Sequence, residues 1–173
     1  MMLIKAHNLK GFLMMEWEKK QCVLPMEAIL ELMELTFAQG GSYELVVTGA
    51  SMSPTLKPGR DMVRLVSPRG RTIHRYDLVF ARRRQGGYML HRVVKLLPGG
   101  GAVLSGDGQT WLEEVDEILA LAAAIRRKGK WIPADSPGYR LYVFLWAFTR
   151  PFRGVLVKLK KFLEGGRKAH DHS

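Results

Sequence analysis

Turn signals recur at close spacing between residues 43 and 133, and they constrain the fold more than any other feature of the sequence. The runs "DLVFARRR" and "YMLHRVVKLLP" flank Gln85–Gly87, a pattern typical of an antiparallel hairpin. The runs "YELVVTG", "DMVRLVSP" and "GAVLSGDGQ" are also short and bounded by Gly or Pro, whereas "ILALAAAIRRKGKWI" fits a strand or a helix. Many short strands predict a mostly β domain of the α+β class.

One amphipathic helix is expected before these strands. In "LPMEAILELMELTFAQGG" the apolar residues Met26, Ile29, Leu30, Met33 and Leu35 follow a helical spacing, and two glycines then stop the helix. We treat residues 1–24 as an N-terminal extension and residues 25–132 as the core.

The segment 133–173 has a different character, because it is aromatic and basic. Beyond Pro151, six apolar residues fall on one helical face while lysines and arginines lie off it: Phe152, Val155, Leu156, Leu159, Phe162 and Leu163. The whole chain carries a formal net charge of +11. This pattern predicts a basic amphipathic helix on an anionic membrane surface. The alternative is a solvated helix that packs its apolar face on the core.

The composition also limits the compartment and the cofactors. A single cysteine, Cys22, excludes an internal disulfide framework. No apolar run reaches the roughly 18 residues of a spanning helix, and "LYVFLWAF" (Leu141 to Phe148) is too short. We therefore expect a cytoplasmic protein that is peripheral at the inner membrane face. Nothing in the sequence predicts a cofactor, and "HDHS" is expected to be a tail rather than a metal site.

Three residues are candidates for chemistry. Ser51 lies in "TGASMSPTLKPGRD", where small residues precede it and Pro54 turns the chain away. A serine needs a base to act as a nucleophile, and His91 in "YMLHRVV" is the preferred candidate over His74. Asp107 lies between two glycines in "SGDGQ" and is the candidate acid. Taken singly, each residue is more simply explained as a turn or strand residue.

Together, these boxes follow one order: "GASMSPTLKPGRD", "YDLVF", "YMLHRVV" and "LSGDGQ". In that order the sequence resembles the serine peptidase superfamily of type I signal peptidases and LexA-like repressors, over about half of the chain. The resemblance implies a fold of coiled antiparallel strands and a Ser51–His91 pair, with histidine where many members use lysine. It further implies that Asp107 orients His91, as in other serine–histidine hydrolases.

The resemblance leaves alternatives at two positions. An acid six residues beyond the Gly-Asp box is a second candidate for the relay, and Glu113 stands there. Many signal peptidases have a serine two residues before the nucleophile that helps to bind the oxyanion, whereas this chain has Gly49. The resemblance also implies that Asp61 and Asp77 tie strand ends rather than act in catalysis.

The expected function is that of a signal-peptidase-like serine endopeptidase acting on a peptide or leader segment of a protein. The alternative is a non-catalytic peptide-binding or regulatory module on the same fold, which Gly49 motivates. A nucleic-acid partner is a third hypothesis that the charge permits. The sequence also departs from the LexA-like repressors, because no helix-turn-helix pair is visible before Ser51.

Overall fold

The computed structural model describes residues 25–148, which form two α-helices, eight strands and two short 3-10 turns. The helices and strands are α1 (Met26–Ala38), β1 (Tyr43–Val46), β2 (Met62–Val66), β3 (Leu78–Arg82), β4 (Tyr88–Leu96), β5 (Ala102–Ser105), β6 (Glu113–Val115), β7 (Glu117–Arg127), β8 (Lys130–Pro133) and α2 (Pro137–Phe148). The 3-10 turns are Ala50–Met52 and Pro98–Gly100.

All strand pairs are antiparallel, and the sheet has the order β1-β2-β7-β3-β4-β5-β6, with β8 paired to β7. The predicted hairpin is β3–β4, with Val79 opposite His91. The structure therefore confirms a mainly β fold of the α+β class.

The run "ILALAAAIRR", which fits a strand or a helix by its sequence, forms strand β7. Its alanine-rich run favours a helix by intrinsic propensity, but the run lies inside the sheet. Strand β2 pairs along one side of β7, while β3 and then β8 pair along the other. Ladder hydrogen bonds on both sides, together with small side chains that fit a crowded sheet, outweigh the local propensity.

Apolar side chains cover both faces of the β3–β4 hairpin. Leu78 and Phe80 belong to the larger core cluster, whereas Val79 and Ala81 belong to a second cluster on the opposite face. Helix α1 packs on the larger cluster through Ile29 and Met33. The predicted helix is confirmed, but Leu35 does not lie on its apolar face, because it is 59% exposed.

Helix α2 joins the same core through Tyr139 and Val143, which are buried in the larger cluster. Within residues 25–148, neither helix is long and apolar enough to cross a membrane. The predicted N-terminal extension (1–24) and the basic amphipathic segment beyond Pro151 lie outside the described residues.

Candidate active site

Ser51 lies in the middle of the 3-10 turn Ala50–Met52, which follows strand β1. The amide of Ser53 donates to the carbonyl of Ala50 over 2.9 Å and closes the turn. Met52 is buried in the core, whereas Ser51 is half-buried. The backbone of the turn is thus anchored by packing, while the residue that carries the hydroxyl remains partly open, as a positioned nucleophile requires.

The loop Gly106–Gly108 lies directly on this turn. The amide of Gly108 donates to the carbonyl of Ser51 over 2.8 Å. A Cβ atom on Gly106 would lie 2.5 Å from the same carbonyl oxygen, and one on Gly108 would lie 2.7 Å from the carbonyl oxygen of Ser53. The two glycines are required because the backbones approach so closely. Although Asp107 stands between these glycines, it is only 2% exposed.

The carboxylate of Asp107 binds Arg92. Arg92 Nε lies 2.8 Å from Asp107 Oδ1 and 3.1 Å from Oδ2, and both side chains are almost fully buried. The same guanidinium donates to the Tyr139 hydroxyl over 3.0 Å and to the carbonyl of Tyr76 over 3.2 Å. Burial opposes the charge of Arg92, but Tyr139 and Asp107 together outweigh it and raise the pKa of Arg92. This ion pair ties the loop next to Ser51 to strand β4 and to helix α2.

His91 lies one residue before Arg92 and therefore on the opposite face of strand β4. It faces the second apolar cluster, whose members Met89 and Val93 flank it on the strand. His91 is 2% exposed, and its Nδ1 atom has no hydrogen-bond partner among residues 25–148. Strand β4 also contacts the Ser51 turn, so the elements that carry Ser51, His91 and Asp107 converge on one place.

The surroundings of His91 keep its imidazole uncharged. Burial, and to a lesser extent the positive charge of Arg83, lower the pKa of His91 from 6.5 to about 4, while Asp107 acts in the opposite direction. The charge of Asp107 therefore reaches the imidazole although its carboxylate binds Arg92. That Asp107 orients His91 stays a prediction.

Glu113, the second candidate acid, lies on the His91 face of the sheet. It is opposite Leu104, which is opposite Val93, and directly paired residues of antiparallel strands share a face. Its Oε1 atom lies 3.3 Å from Arg83 Nε. Glu113 thus neutralises the cation that depresses the pKa of His91.

Gly49 leaves room beside the nucleophile. Its backbone is extended, with φ −87° and ψ 148°. A Cβ atom on Gly49 would meet only Ser51 Oγ within 4 Å, at 3.9 Å, which is ordinary van der Waals contact. Close packing therefore does not require a glycine at this position.

The acids expected to be structural occupy loop positions. Asp61 is fully buried and accepts hydrogen bonds from the Lys57 amide and from Arg60, at the start of strand β2. Asp77 accepts from the amide of His74 over 2.8 Å, just before strand β3. Both tie a turn to a strand end, as the sequence analysis predicted.

Arg92, Tyr139 and Arg83 belong to the site although the sequence analysis gave them no part in it. Arg92 had a signal, because an arginine inside the apolar run "YMLHRVV" must find an acid when it is buried. Nothing in the sequence indicated the contact of Tyr139 with Arg92, because the two residues are 47 positions apart in the chain.

Comparisons with protein-family models, with curated proteins and with solved structures find no match to this chain. Among residues 25–148, no group of three or more His, Cys, Asp or Glu side chains is arranged to hold a metal ion.

Proposed function

We propose that this chain is a serine endopeptidase with a Ser51–His91 pair, on a fold related to the signal peptidases and LexA-like repressors. The observation that carries the proposal is the convergence of three sequence boxes. Strand β4 and the loop Gly106–Gly108 both contact the turn of Ser51. A half-buried serine, on a turn that contacts the strand of a buried, uncharged histidine, supplies the two residue types that nucleophilic catalysis uses.

In the proposed reaction, Ser51 Oγ attacks the carbonyl carbon of a peptide bond while the neutral imidazole of His91 takes its proton. The C–N bond then breaks, and His91 returns the proton to the leaving amine. Water releases the acyl group by the same path. The charge of Asp107 stabilises the transient imidazolium, with Glu113 as the reserve acid. The backbone N–H of Ser51 is the proposed oxyanion donor, because Gly49 offers no hydroxyl.

The proposed substrate is an extended peptide or leader segment that adds to the sheet as a strand. Strand β1 supports this role, because it ends the sheet among the described residues and leads into the Ser51 turn. An edge strand offers backbone N–H and C=O groups to such a peptide. By the resemblance, the substrate has small residues near the cut. A cytoplasmic location is part of the proposal.

The test is to treat the purified full chain with a fluorophosphonate probe and a mixture of extended peptides, and to follow both by mass spectrometry. We expect labelling at Ser51 and peptide cleavage, and Ser51→Ala should abolish both. Ser53→Ala is the matched control, because it removes a hydroxyl two residues away and should leave both intact. If cleavage persists in Ser51→Ala at the rate of the parent, the assignment of the nucleophile is wrong.

A second candidate is a non-catalytic peptide-binding module. Two observations favour it: His91 Nδ1 has no hydrogen-bond partner among the described residues, and the carboxylate of Asp107 binds Arg92. On this alternative the parent chain resists the probe but binds peptides in a fluorescence anisotropy assay. Ser51→Ala then binds them with unchanged affinity.

A further inference from the structure

Helix α2 presents a continuous apolar stripe to solvent. The side chains at positions i, i+3, i+4 and i+7 are 55–71% exposed: Leu141, Phe144, Leu145 and Phe148. The opposite side of the helix is the one that packs on the core, through Tyr139 and Val143. Four large apolar residues exposed together on one helix indicate a surface that meets a partner.

Next to this stripe lie arginines that form no ion pair with an acid of the described residues. Within residues 25–148, the arginines that form ion pairs are Arg60, Arg64, Arg82, Arg83, Arg84 and Arg92. Arg71, Arg75 and Arg140 form none with the described acids, and all three are exposed. The apolar stripe therefore adjoins an excess of positive charge.

A cavity of about 650 Å³ joins the two features. It lies between the loop 67–77 and the first turns of α2, and its lining includes Arg71, Arg75 and Arg140 together with Leu141 and Phe144. Asp77 and Asp135 also line it, and the Asp77 carboxylate accepts a hydrogen bond from the His74 amide. A cavity with arginine side chains next to apolar side chains fits a ligand that has an anionic head group and a hydrocarbon chain.

We propose that the α2 stripe and the three arginines form a docking surface for a membrane that contains anionic phospholipid. The apolar side chains would enter the boundary of the acyl chains while the arginines contact the phosphates of the headgroups. A second copy fits less well, because a two-fold contact across α2 would bring the arginines of both copies together. This surface is distinct from Ser51 and His91, so the proposal stands independently of the proposed activity.

The test is co-sedimentation of the full chain with phosphatidylcholine vesicles, with and without one quarter phosphatidylglycerol. We expect binding only to the anionic vesicles. Arg71→Gln/Arg140→Gln should reduce the partition coefficient by roughly 30-fold, about fivefold for each cation. Phe144→Ser/Leu145→Ser should reduce it by about tenfold or more, because two exposed apolar side chains are lost.

Arg82→Gln/Arg84→Gln is the matched control, since it removes two cations that are already paired on the β3–β4 hairpin; it should change the partition coefficient by less than about threefold. Ser51→Ala should bind as the parent does, which separates this proposal from the peptidase. The proposal is overturned if the parent ignores anionic vesicles, if it binds neutral ones equally, or if both α2-surface variants bind like the parent. It is also overturned if sedimentation velocity shows a dimer that Phe144→Ser/Leu145→Ser dissociates.

Discussion

His91 and Arg92 are neighbours in strand β4, yet the two faces of the sheet give them opposite surroundings. His91 faces an apolar cluster, loses its charge, and keeps an Nδ1 atom without a partner among the described residues. Arg92 keeps its charge, because Asp107, Tyr139 and the carbonyl of Tyr76 surround it. A buried polar group whose hydrogen bonds are all formed stabilises the fold. A buried titratable group with an unused nitrogen can instead accept or release a proton.

The largest effect should be the loss of activity when His91 is replaced. His91→Gln removes the proposed base and should lower kcat/KM by about 10⁴-fold or more. The free energy of unfolding at neutral pH should change little. His74→Gln is the control, because His74 is exposed and lies in none of the boxes that carry Ser51, His91 and Asp107. The rate at which each variant cleaves a peptide substrate of the parent chain measures the first effect, and urea unfolding measures the second. Equal loss in both variants would show that His91 is not the base.

Replacing Arg92 should instead lower the free energy of unfolding. Arg92→Met removes the positive charge that pairs with the buried carboxylate of Asp107 and should cost about 3–5 kcal/mol in the free energy of unfolding. Arg92→Met/Asp107→Leu removes both charges and should recover a large part of that loss. Urea denaturation of the parent, the single variant and the double variant measures the three free energies of unfolding.

The control for this pair is Arg84→Met, which breaks an exposed contact with Glu114 and Asp116 and should leave the free energy of unfolding nearly unchanged. If Arg92→Met proved as mild as Arg84→Met, the buried ion pair would not hold the loop beside Ser51.

The depressed pKa of His91 predicts a pH dependence of stability. Histidine in the unfolded chain titrates near 6.5, whereas folded His91 titrates at about 4. As the pH falls through this window, the unfolded chain binds the proton first, so the folded state loses stability between pH 6.5 and 4. The loss should reach about 3 kcal/mol at most. Urea unfolding of the parent and of His91→Gln at several pH values isolates this contribution. An identical pH dependence in both chains contradicts the buried, neutral histidine.

The smallest expected effect concerns Glu113. Glu113→Gln leaves the charge of Arg83 unneutralised beside His91, so the pKa of His91 should fall further. Because the Arg83–Glu113 pair is partly exposed, the shift should stay below about one pH unit. A titration of the His91 ring by NMR measures it. Glu114→Gln is the matched control, since Glu114 binds Arg84 instead. A pKa that rises in Glu113→Gln would contradict this placement of charges.

Some of these relations were visible in the sequence because they are local. The β3–β4 hairpin follows from two strand-like runs around Gln85–Gly87, and helix α1 follows from apolar spacing and a glycine stop. The candidates Ser51, His91 and Asp107 came from the order of the boxes. Strand β7 could not be decided, because its alanines favour a helix until β2, β3 and β8 supply hydrogen bonds.

The sequence by itself determined the class of fold, the candidate residues and the excess of positive charge, since residue types, turn signals and short-range periodicity carry that information. Only the tertiary structure decided which polar groups meet. It placed Arg92 against Asp107 and Tyr139 and packed the Gly106–Gly108 loop on the Ser51 turn. It also left the α2 stripe exposed beside arginines that form no ion pair with the described acids. The physical reason is that strand pairing and burial join residues far apart in the chain, and these contacts set charge and exposure.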